Sequence, residues 1–376
     1  MKIFLNAIQY KKNSSGIGYL AFHWFGKIVR MKKEEDSIDV ILSKDSPGVL
    51  IDSLHNVREL RSPFKKKQVI RRNLFELLPP KGARKKGGVF VSIDSKIPLF
   101  MPKKLRKVQI VTDLATYRMG WVYQQSRTIY WRIMLKRSIR LADQIIAISQ
   151  FTKDEIINIL HTDPKKIEVI YCAASEEYRR IEDQRERMRV SDLYNLREPY
   201  LLFVGNFNPR KNLERIIGAF DLLKKKYGLK HKLVIVGEKG WKFDQDKVLR
   251  EISSCRDVVF INYVENKDLA VIYSMAELFV FTTLYEGFGI PMIESQQCGT
   301  PVLASDNSCF EEVAGKGAYY VNPYSESDIC EGMHHILSDQ IVSQTLITEG
   351  YQNAERFSWE NSAEKLYQVI ETVFKK

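Results

Sequence analysis

Short, continuously apolar runs alternate with polar, helix-like stretches along this chain, and after residue 199 the alternation starts again. Candidate strands fall at Lys2–Ile8, Asp39–Leu42, Val89–Ile93, Val108–Thr112, Gln144–Ile148 and Ile167–Tyr171, with a long helix rich in arginine and aromatic residues between Val122 and Leu141. Runs that are apolar throughout suit strands buried on both faces, as in a parallel sheet covered by helices. The polar, highly charged stretch Arg179–Arg197 reads as a linker. Beyond it, strands are expected at Tyr200–Val204, Lys232–Val236, Val258–Ile261, Leu278–Phe281 and Val302–Ala304. The helices between them are expected at Leu213–Tyr227, Asp246–Ser253, Lys267–Met275 and Pro291–Gln297, with two more near Asp339–Arg356 and Ser358–Phe374. The fold class is α/β, in two doubly wound domains, 1–196 and 197–357. A length of 376 residues accommodates both.

Open sheets of this kind hold ligands at the carboxyl ends of their strands. The stretch Phe281–Pro301 is the most informative such end. Gly287 and Gly289 loosen the backbone before Pro291, a residue suited to a helix start because its missing N–H would be unpaired there. The helix N–H groups and dipole make an anion site at Gly289–Met292. Glu286 and Glu294 flank it. A carboxylate beside a phosphate is repelled, so both should meet hydrogen-bond donors, and sugar hydroxyls are the natural ones. A diphosphate with a sugar at each end fits, with Glu294 on one and Glu286 on the other. The bland alternative is a strand–turn–helix connection with two solvated glutamates, since glycine-rich turns before helices are common.

Other strand ends carry chemistry too. In Gly205–Asn212 (GNFNPRKN), Arg210 and Lys211 are adjacent cations at an expected helix N-terminus, where the dipole disfavours them, so an external anion is a reasonable account. Asp113 follows the strand Val108–Thr112. In the loop Asn13–Gly18 (NSSGIG), Gly16 and Gly18 would allow close backbone approach of a ligand, although a plain tight turn fits equally. Asp244 and Asp246 form a DxD that could hold a divalent metal. They open a polar helix instead of following an apolar strand, and no metal is expected. The pair His334–His335 reads as surface. No GxSxG elbow, HExxH or P-loop is present.

Charge is unevenly placed. Residues 1–199 carry 39 Lys and Arg against 22 Asp and Glu, whereas the remainder carries 19 against 24. The excess concentrates between Ser62 and Lys107, at Lys65–Lys67, Arg71–Arg72, Ala83–Lys86 and Lys103–Lys107, with Phe64, Val69, Ile70, Leu74 and Leu78 interleaved. Such a run is either a solvated face or a basic amphipathic surface for an anionic membrane, most simply if Lys65–Arg72 is helical. No nucleic-acid motif accompanies it, so nucleic acid is not an expected partner. The five cysteines lack metal or disulfide spacing and read as reduced thiols. No secretory signal or membrane span is apparent, which gives a cytoplasmic protein, peripheral on the inner face of the membrane.

Together these residues resemble the GT-B retaining glycosyltransferases of family 4, the group 1 glycosyltransferases. The likeness is carried by EGFGIPMIE at Glu286–Glu294, CGTPV at Cys298–Val302, FEEVAGKGAYYVNP at Phe310–Pro323, FSWENSAEKL at Phe357–Leu366 and GNFNPRKN. It runs more loosely through GIG, TDL at Thr112–Leu114 and ADQIIAISQFTKDEI at Ala142–Ile156. The resemblance implies two domains facing a cleft, a first domain for the acceptor, a second for a nucleotide-sugar, and a final helix, 358–376, that returns to the first. It implies that Arg210 and Lys211 hold a diphosphate, Glu294 the ribose and Glu286 the donor sugar. Gly205 belongs to the same donor loop, and backbone N–H groups of Gly287, Phe288 and Gly289 would meet the distal phosphate or the sugar. It further implies metal-independent, retaining transfer of a hexose from a donor such as GDP-mannose or a UDP-sugar to a saccharide or lipid-diphosphate acceptor, without a cofactor. Two departures stand out. Thr112 replaces the histidine that many relatives place before Asp113, and Asn206 replaces an arginine. The alternatives are a GT-B sugar-nucleotide epimerase and a non-catalytic polyanion-binding module.

Overall fold

The computed structural model describes all residues except 11–15, 47–54, 66, 84–86, 95 and 241–242, together with the side chains of Val69 and Arg72. Parts of the NSSGIG loop (13–15) and of the basic runs (66 and 84–86) therefore lie outside the described residues. The chain forms two compact units, Met1–Cys172 with Ser358–Lys376, and Ala173–Phe357.

In the first unit the elements run β1 (Lys2–Asn6), α1 (Ile17–Met31), β2 (Ser37–Leu42), β3 (Val57–Arg61), α2 (Val69–Phe75), β4 (Gly88–Ile93), β5 (Leu105–Val111), α3 (Ala115–Arg118), α4 (Gln125–Leu141), β6 (Gln144–Ala147), α5 (Gln150–Leu160) and β7 (Ile167–Val169). The strands are parallel in the order β3-β2-β1-β4-β5-β6-β7. β4 is buried at every position, as its apolar run predicts. β3 was not foreseen: it is an edge strand, half exposed, and its VRELR sequence lacks the apolar run of an inner strand. The carboxyl-terminal helix of the chain belongs to this unit.

In the second unit the elements are α6 (Gln184–Tyr194), β8 (Tyr200–Val204), α7 (Leu213–Tyr227), β9 (Lys232–Val236), α8 (Gln245–Arg250), β10 (Val258–Ile261), α9 (Asn266–Met275), β11 (Leu278–Phe281), α10 (Ile290–Gln297), β12 (Val302–Ser305), α11 (Phe310–Ala314), β13 (Ala318–Val321), α12 (Glu326–Ser338) and α13 (Gln340–Ala354). This sheet is also parallel, in the order β10-β9-β8-β11-β12-β13. The chain ends with α14 (Trp359–Lys375), which packs on α1 in the first unit. There Trp24 Nε1 donates to Ser362 Oγ at 2.5 Å, and the Tyr367 hydroxyl donates to Asp36.

Both sheets reverse their order at one place, between β1 and β4 and between β8 and β11. Ligands of open α/β sheets sit outside the strand ends at that reversal.

Three expectations need correction. The break between units falls at 172, not 196, because the charged stretch is no linker. It holds α6, whose Arg189 pairs with Asp268 of α9 at 2.5 Å, while Arg187 donates to the Ile181 carbonyl at 2.7 Å. The segment Lys65–Arg72 is not one helix: Lys65 lies outside any helix, its N–H donating to Gln68 Oε1 at 3.0 Å, and α2 starts at Val69. Gly18 lies inside α1, buried, and only Gly16 precedes it, with φ 67°.

Candidate active site

The loops after β8 and β11 meet at the order reversal of the second sheet. After β8, Asn208 caps a 3-10 turn at Pro209–Lys211, its side chain accepting the Arg210 N–H at 3.1 Å. Asn212 follows in the left-handed region (φ 59°) and donates to the carbonyls of Thr282 at 2.9 Å and Pro323 at 2.7 Å. The Leu284 N–H donates to the Arg210 carbonyl at 2.9 Å. These bonds fix the turn against the loop after β11, so its two cations fall on Glu286. Lys211 Nζ donates to Oε1 at 2.7 Å, and Arg210 Nη1 to Oε2 at 3.1 Å and to the Tyr285 carbonyl at 3.2 Å.

This changes one step of the sequence argument. Arg210 and Lys211 precede α7 instead of opening it; the acidic Glu214 sits in the first turn, where the dipole favours it. The partner of the two cations is Glu286, so no external anion is required to account for them. They still outnumber it, two to one. Lys211 is only 9% exposed and lies 4.9 Å from the centre of the Phe281 ring, so carboxylate and ring face together replace its water.

Burial alone would push the Glu286 carboxyl up, but the Arg210 and Lys211 cations beside it hold it below the usual carboxylate range. Its backbone is anchored as well: the Glu286 N–H donates to Ser308 Oγ at 3.1 Å, and that hydroxyl donates to the Glu286 carbonyl at 2.6 Å. Gly289 then takes φ 92°, a left-handed conformation in which a side chain is strained, and Pro291 is the second residue of α10. The Phe288 ring packs edge-on against Phe357 at 5.5 Å. Gly205 ends β8. Across from it, a Cβ on Gly237 would fall 2.1 Å from the Gly205 carbonyl oxygen, so glycine at 237 lets the two strand ends close up.

Glu294, one turn into α10, belongs to a different set. Its Oε2 accepts the Tyr273 hydroxyl at 3.0 Å, with Tyr178 a second donor. No cation offsets burial there, and the carboxyl is pushed up to about 7. One glutamate of the EGFGIPMIE stretch is thus held ionised by cations, and the other, buried without them, is pushed toward its protonated form. Tyr273 was missed by sequence reasoning. Nothing local marks a tyrosine in α9 as a partner of a residue 21 positions later.

In the first unit Asp113 follows β5 and accepts the Ala115 N–H at 2.8 Å, which fixes the start of α3. The structure adds Asp94, at the end of β4 and beside the order reversal of that sheet. It takes φ 40° and accepts the Thr112 N–H at 2.9 Å and the Thr112 hydroxyl. Burial and the neighbouring Asp113 push its carboxyl up to about 7. An acid directly after the apolar run VFVSI was the signal that could have found it. Gly16 caps α1 and is exposed. Asp244 accepts the Lys247 N–H at 3.1 Å and caps α8, which accounts for half of the DxD. Among the described residues no cluster of His, Cys, Asp or Glu could hold a metal ion.

Residues 184–353 match the family described as Glycosyl transferases group 1, and residues 100–178 match Glycosyltransferase Family 4. Among curated proteins, O-antigen chain mannosyltransferase B of Escherichia coli is 28% identical over 70% of this chain and 69% of its own length. The serotype-specific mannosyltransferase WbdA of Escherichia coli is 30% identical over 59% of this chain, which spans only 28% of WbdA. Among solved structures, sucrose-phosphate synthase from Thermosynechococcus elongatus superposes with a TM-score of 0.80, at 18% identity, over 100% of this chain and 99% of that one. A likeness at that identity is one of fold.

Proposed function

The chain belongs to the GT-B glycosyltransferases of family 4, and from that premise we propose that it moves a hexose from a nucleoside-diphosphate sugar to a saccharide acceptor during assembly of a surface polysaccharide. Mannose is the first choice of sugar, with GDP-mannose as donor and a UDP-sugar next, because an O-antigen chain mannosyltransferase and a serotype-specific mannosyltransferase are among the relatives. A lipid diphosphate is the proposed carrier of the acceptor.

The observation that carries this reading is the cluster of Arg210, Lys211 and Glu286 where β8 and β11 diverge. Two cations gather at one carboxylate, a local positive charge offered to a diphosphate. Held before the reaction begins, that charge stabilises the departing nucleoside diphosphate without the cost of reorganising water. Glu286, ionised, accepts hydroxyl protons of the donor sugar. Glu294 accepts those of the ribose. Asp113 binds the acceptor hydroxyl. The proposed course is retaining: the leaving phosphate takes the acceptor proton as the acceptor oxygen attacks the same face of the anomeric carbon, so no metal and no base from the protein are required. A donor screen tests the reading. Saturation at 100 times the dissociation constant stabilises a fold by about 2.7 kcal/mol, visible in a melt. Failure of every nucleoside-diphosphate sugar to raise the melting temperature or to be turned over sinks it.

The first unit is the proposed membrane-facing part, on the inner face of the membrane. Lys65, Lys67 and Arg71 are exposed, and so are Ile70 (77%) and Leu74 (61%) of α2. No helix among the described residues is long and apolar enough to cross a membrane. A cation near an anionic surface contributes about 1 kcal/mol, so Lys65, Lys66, Lys67, Arg71 and Arg72 supply at most about 5 kcal/mol, reversible attachment only. The expected result is co-sedimentation with anionic but not neutral liposomes, lost in high salt and in the variant with all five changed to glutamine. Indifference to anionic liposomes at low salt would leave the basic face without this role.

A further inference from the structure

A cavity of about 550 Å³ opens in the first unit between α3, the 3-10 turn after it, and α4. Tyr117, Trp121 and Tyr123 line it beside Arg118, Gln125 and Arg132. Its walls are tied together. Arg132 donates through Nε to the Thr116 carbonyl at 2.7 Å and through Nη2 to the Tyr117 carbonyl at 3.1 Å, and the Tyr117 hydroxyl donates back to the Arg132 carbonyl at 2.7 Å. The Arg132 guanidinium also lies 5.4 Å from the centre of the Tyr117 ring. Arg118 is held through Nε by Glu155 of α5, yet its side chain is 55% exposed. Trp121, in the same cavity, is 64% exposed.

We propose that this cavity is the subsite for the acceptor saccharide, with Trp121 as the platform on which a sugar ring lies. The proposal rests on the glycosyltransferase reading and deepens it. A hexose has an apolar C–H face and a rim of hydroxyls. A site for it needs a flat, rigid aromatic surface with hydrogen-bonding groups around the edge, and the indole beside Arg118 and Gln125 supplies that combination. Exposed apolar side chains scattered singly need no explanation. Here the exposed aromatic shares a tied cavity with two arginines, a glutamine and a threonine, and Ile129 is the one aliphatic side chain in the lining, a set that suits a sugar better than a lipid chain. Position agrees as well: Asp113 fixes the start of α3, the helix that forms one wall, at the carboxyl end of β5, where open sheets place ligands.

The test is steady-state kinetics of the full chain with its identified donor and mannobiose as acceptor probe. Trp121→Ala should raise the acceptor KM about tenfold or more, equivalent to about 1.4 kcal/mol or more of lost stacking and burial, and leave the donor KM unchanged. Trp121→Phe, which keeps a platform, should recover most of that loss. An acceptor KM unmoved in Trp121→Ala overturns the proposal. So does a variant whose only defect is weaker partition to anionic liposomes, since the cavity would then face lipid. If the wild-type protein turns over no donor, the glycosyltransferase reading fails on its own. The subsite is then judged by tryptophan fluorescence: a saturable change with mannobiose, absent in Trp121→Phe, supports it, and no change overturns it.

Discussion

The strand ends of the two sheets are built in opposite ways. In the second unit the chemistry is packed inward: Glu286 and Glu294 are each 8% exposed and Lys211 9%, and every charge there meets a named partner. In the first unit the sheet end holds two neighbouring carboxyls, Asp94 and Asp113, and the elements after β5 leave aromatic and aliphatic side chains in water, Trp121 at 64% and Ile129 at 51%. A site that recognises the same diphosphate in every turnover gains from fixed, desolvated charges. A site that meets a long acceptor or a membrane needs contact area. In the proposed function, the second unit sets the chemistry and the first sets where, and on what, it is done.

The largest expected effect breaks the charge cluster. Lys211→Ala should lower turnover by about 10²–10³, because it removes a preorganised charge from the leaving diphosphate, and Arg210→Ala should act similarly. Since Lys211 also pairs with Glu286, each variant is checked by its melting curve. More than half of wild-type activity in a folded variant would mean that the cluster is structural and that the contrast between the units is one of packing only.

Next in size is the division between the two glutamates. Glu294→Ala should weaken binding of the bare nucleoside diphosphate, whereas Glu286→Ala should spare that binding and impair transfer. Isothermal titration of both variants decides it, and equal losses of nucleotide affinity would refute the assignment.

The different surroundings of the two glutamates were half legible beforehand. Glu286, Gly289, Pro291 and Glu294 lie within nine positions, so strand, turn and helix geometry relates them without knowledge of the rest of the chain. Their environments were not legible, because they are made by distant residues: Arg210 and Lys211 for one, Tyr273 and Tyr178 for the other. Asp94 escaped for the same reason, since its tie to Thr112 spans 18 positions and depends on β4 lying beside β5. The alternation of apolar runs revealed both sheets because inner parallel strands are apolar throughout. It missed β3, half exposed at an edge, and α6, whose arginines look like linker charges until Asp268 is seen opposite Arg189.

A smaller effect separates the glutamates by pH. Glu294 has a folded value of about 7 against an ordinary 4.5, so the folded state keeps a proton that the unfolded chain releases. Its contribution to stability is complete below about pH 4.5 and is lost as pH rises through about 7. Glu286 is shifted down, so its contribution is present above its ordinary value and is lost as pH falls through the folded one. Melting curves of Glu294→Gln and wild type should therefore diverge in the variant's favour between pH 5 and 7, with a slope of at most about 1.4 kcal/mol per pH unit. Glu286→Gln should show its deficit at neutral pH and recover toward acid. Parallel curves for the two variants would mean that the cation cluster does not distinguish the two carboxyls.

The smallest effect concerns the DxD, the one sequence feature that would have brought a metal into the second unit and undone the contrast with a site run by fixed cations. Asp244 caps α8 through the Lys247 N–H, and Asp246 lies in the first turn, where a negative charge suits the dipole. Removing such a cap costs about 1 kcal/mol. Asp244→Ala should therefore lower the melting temperature slightly, and Asp246→Ala less, while turnover at 25 °C and its persistence in EDTA stay as in the wild type. The control matters because a metal held by these two carboxylates would serve the same diphosphate as Arg210 and Lys211. Loss of activity in EDTA, restored by manganese and abolished in the double variant, would move the leaving-group charge from the buried cations to a bound ion, and Lys211→Ala would then be the milder of the two lesions.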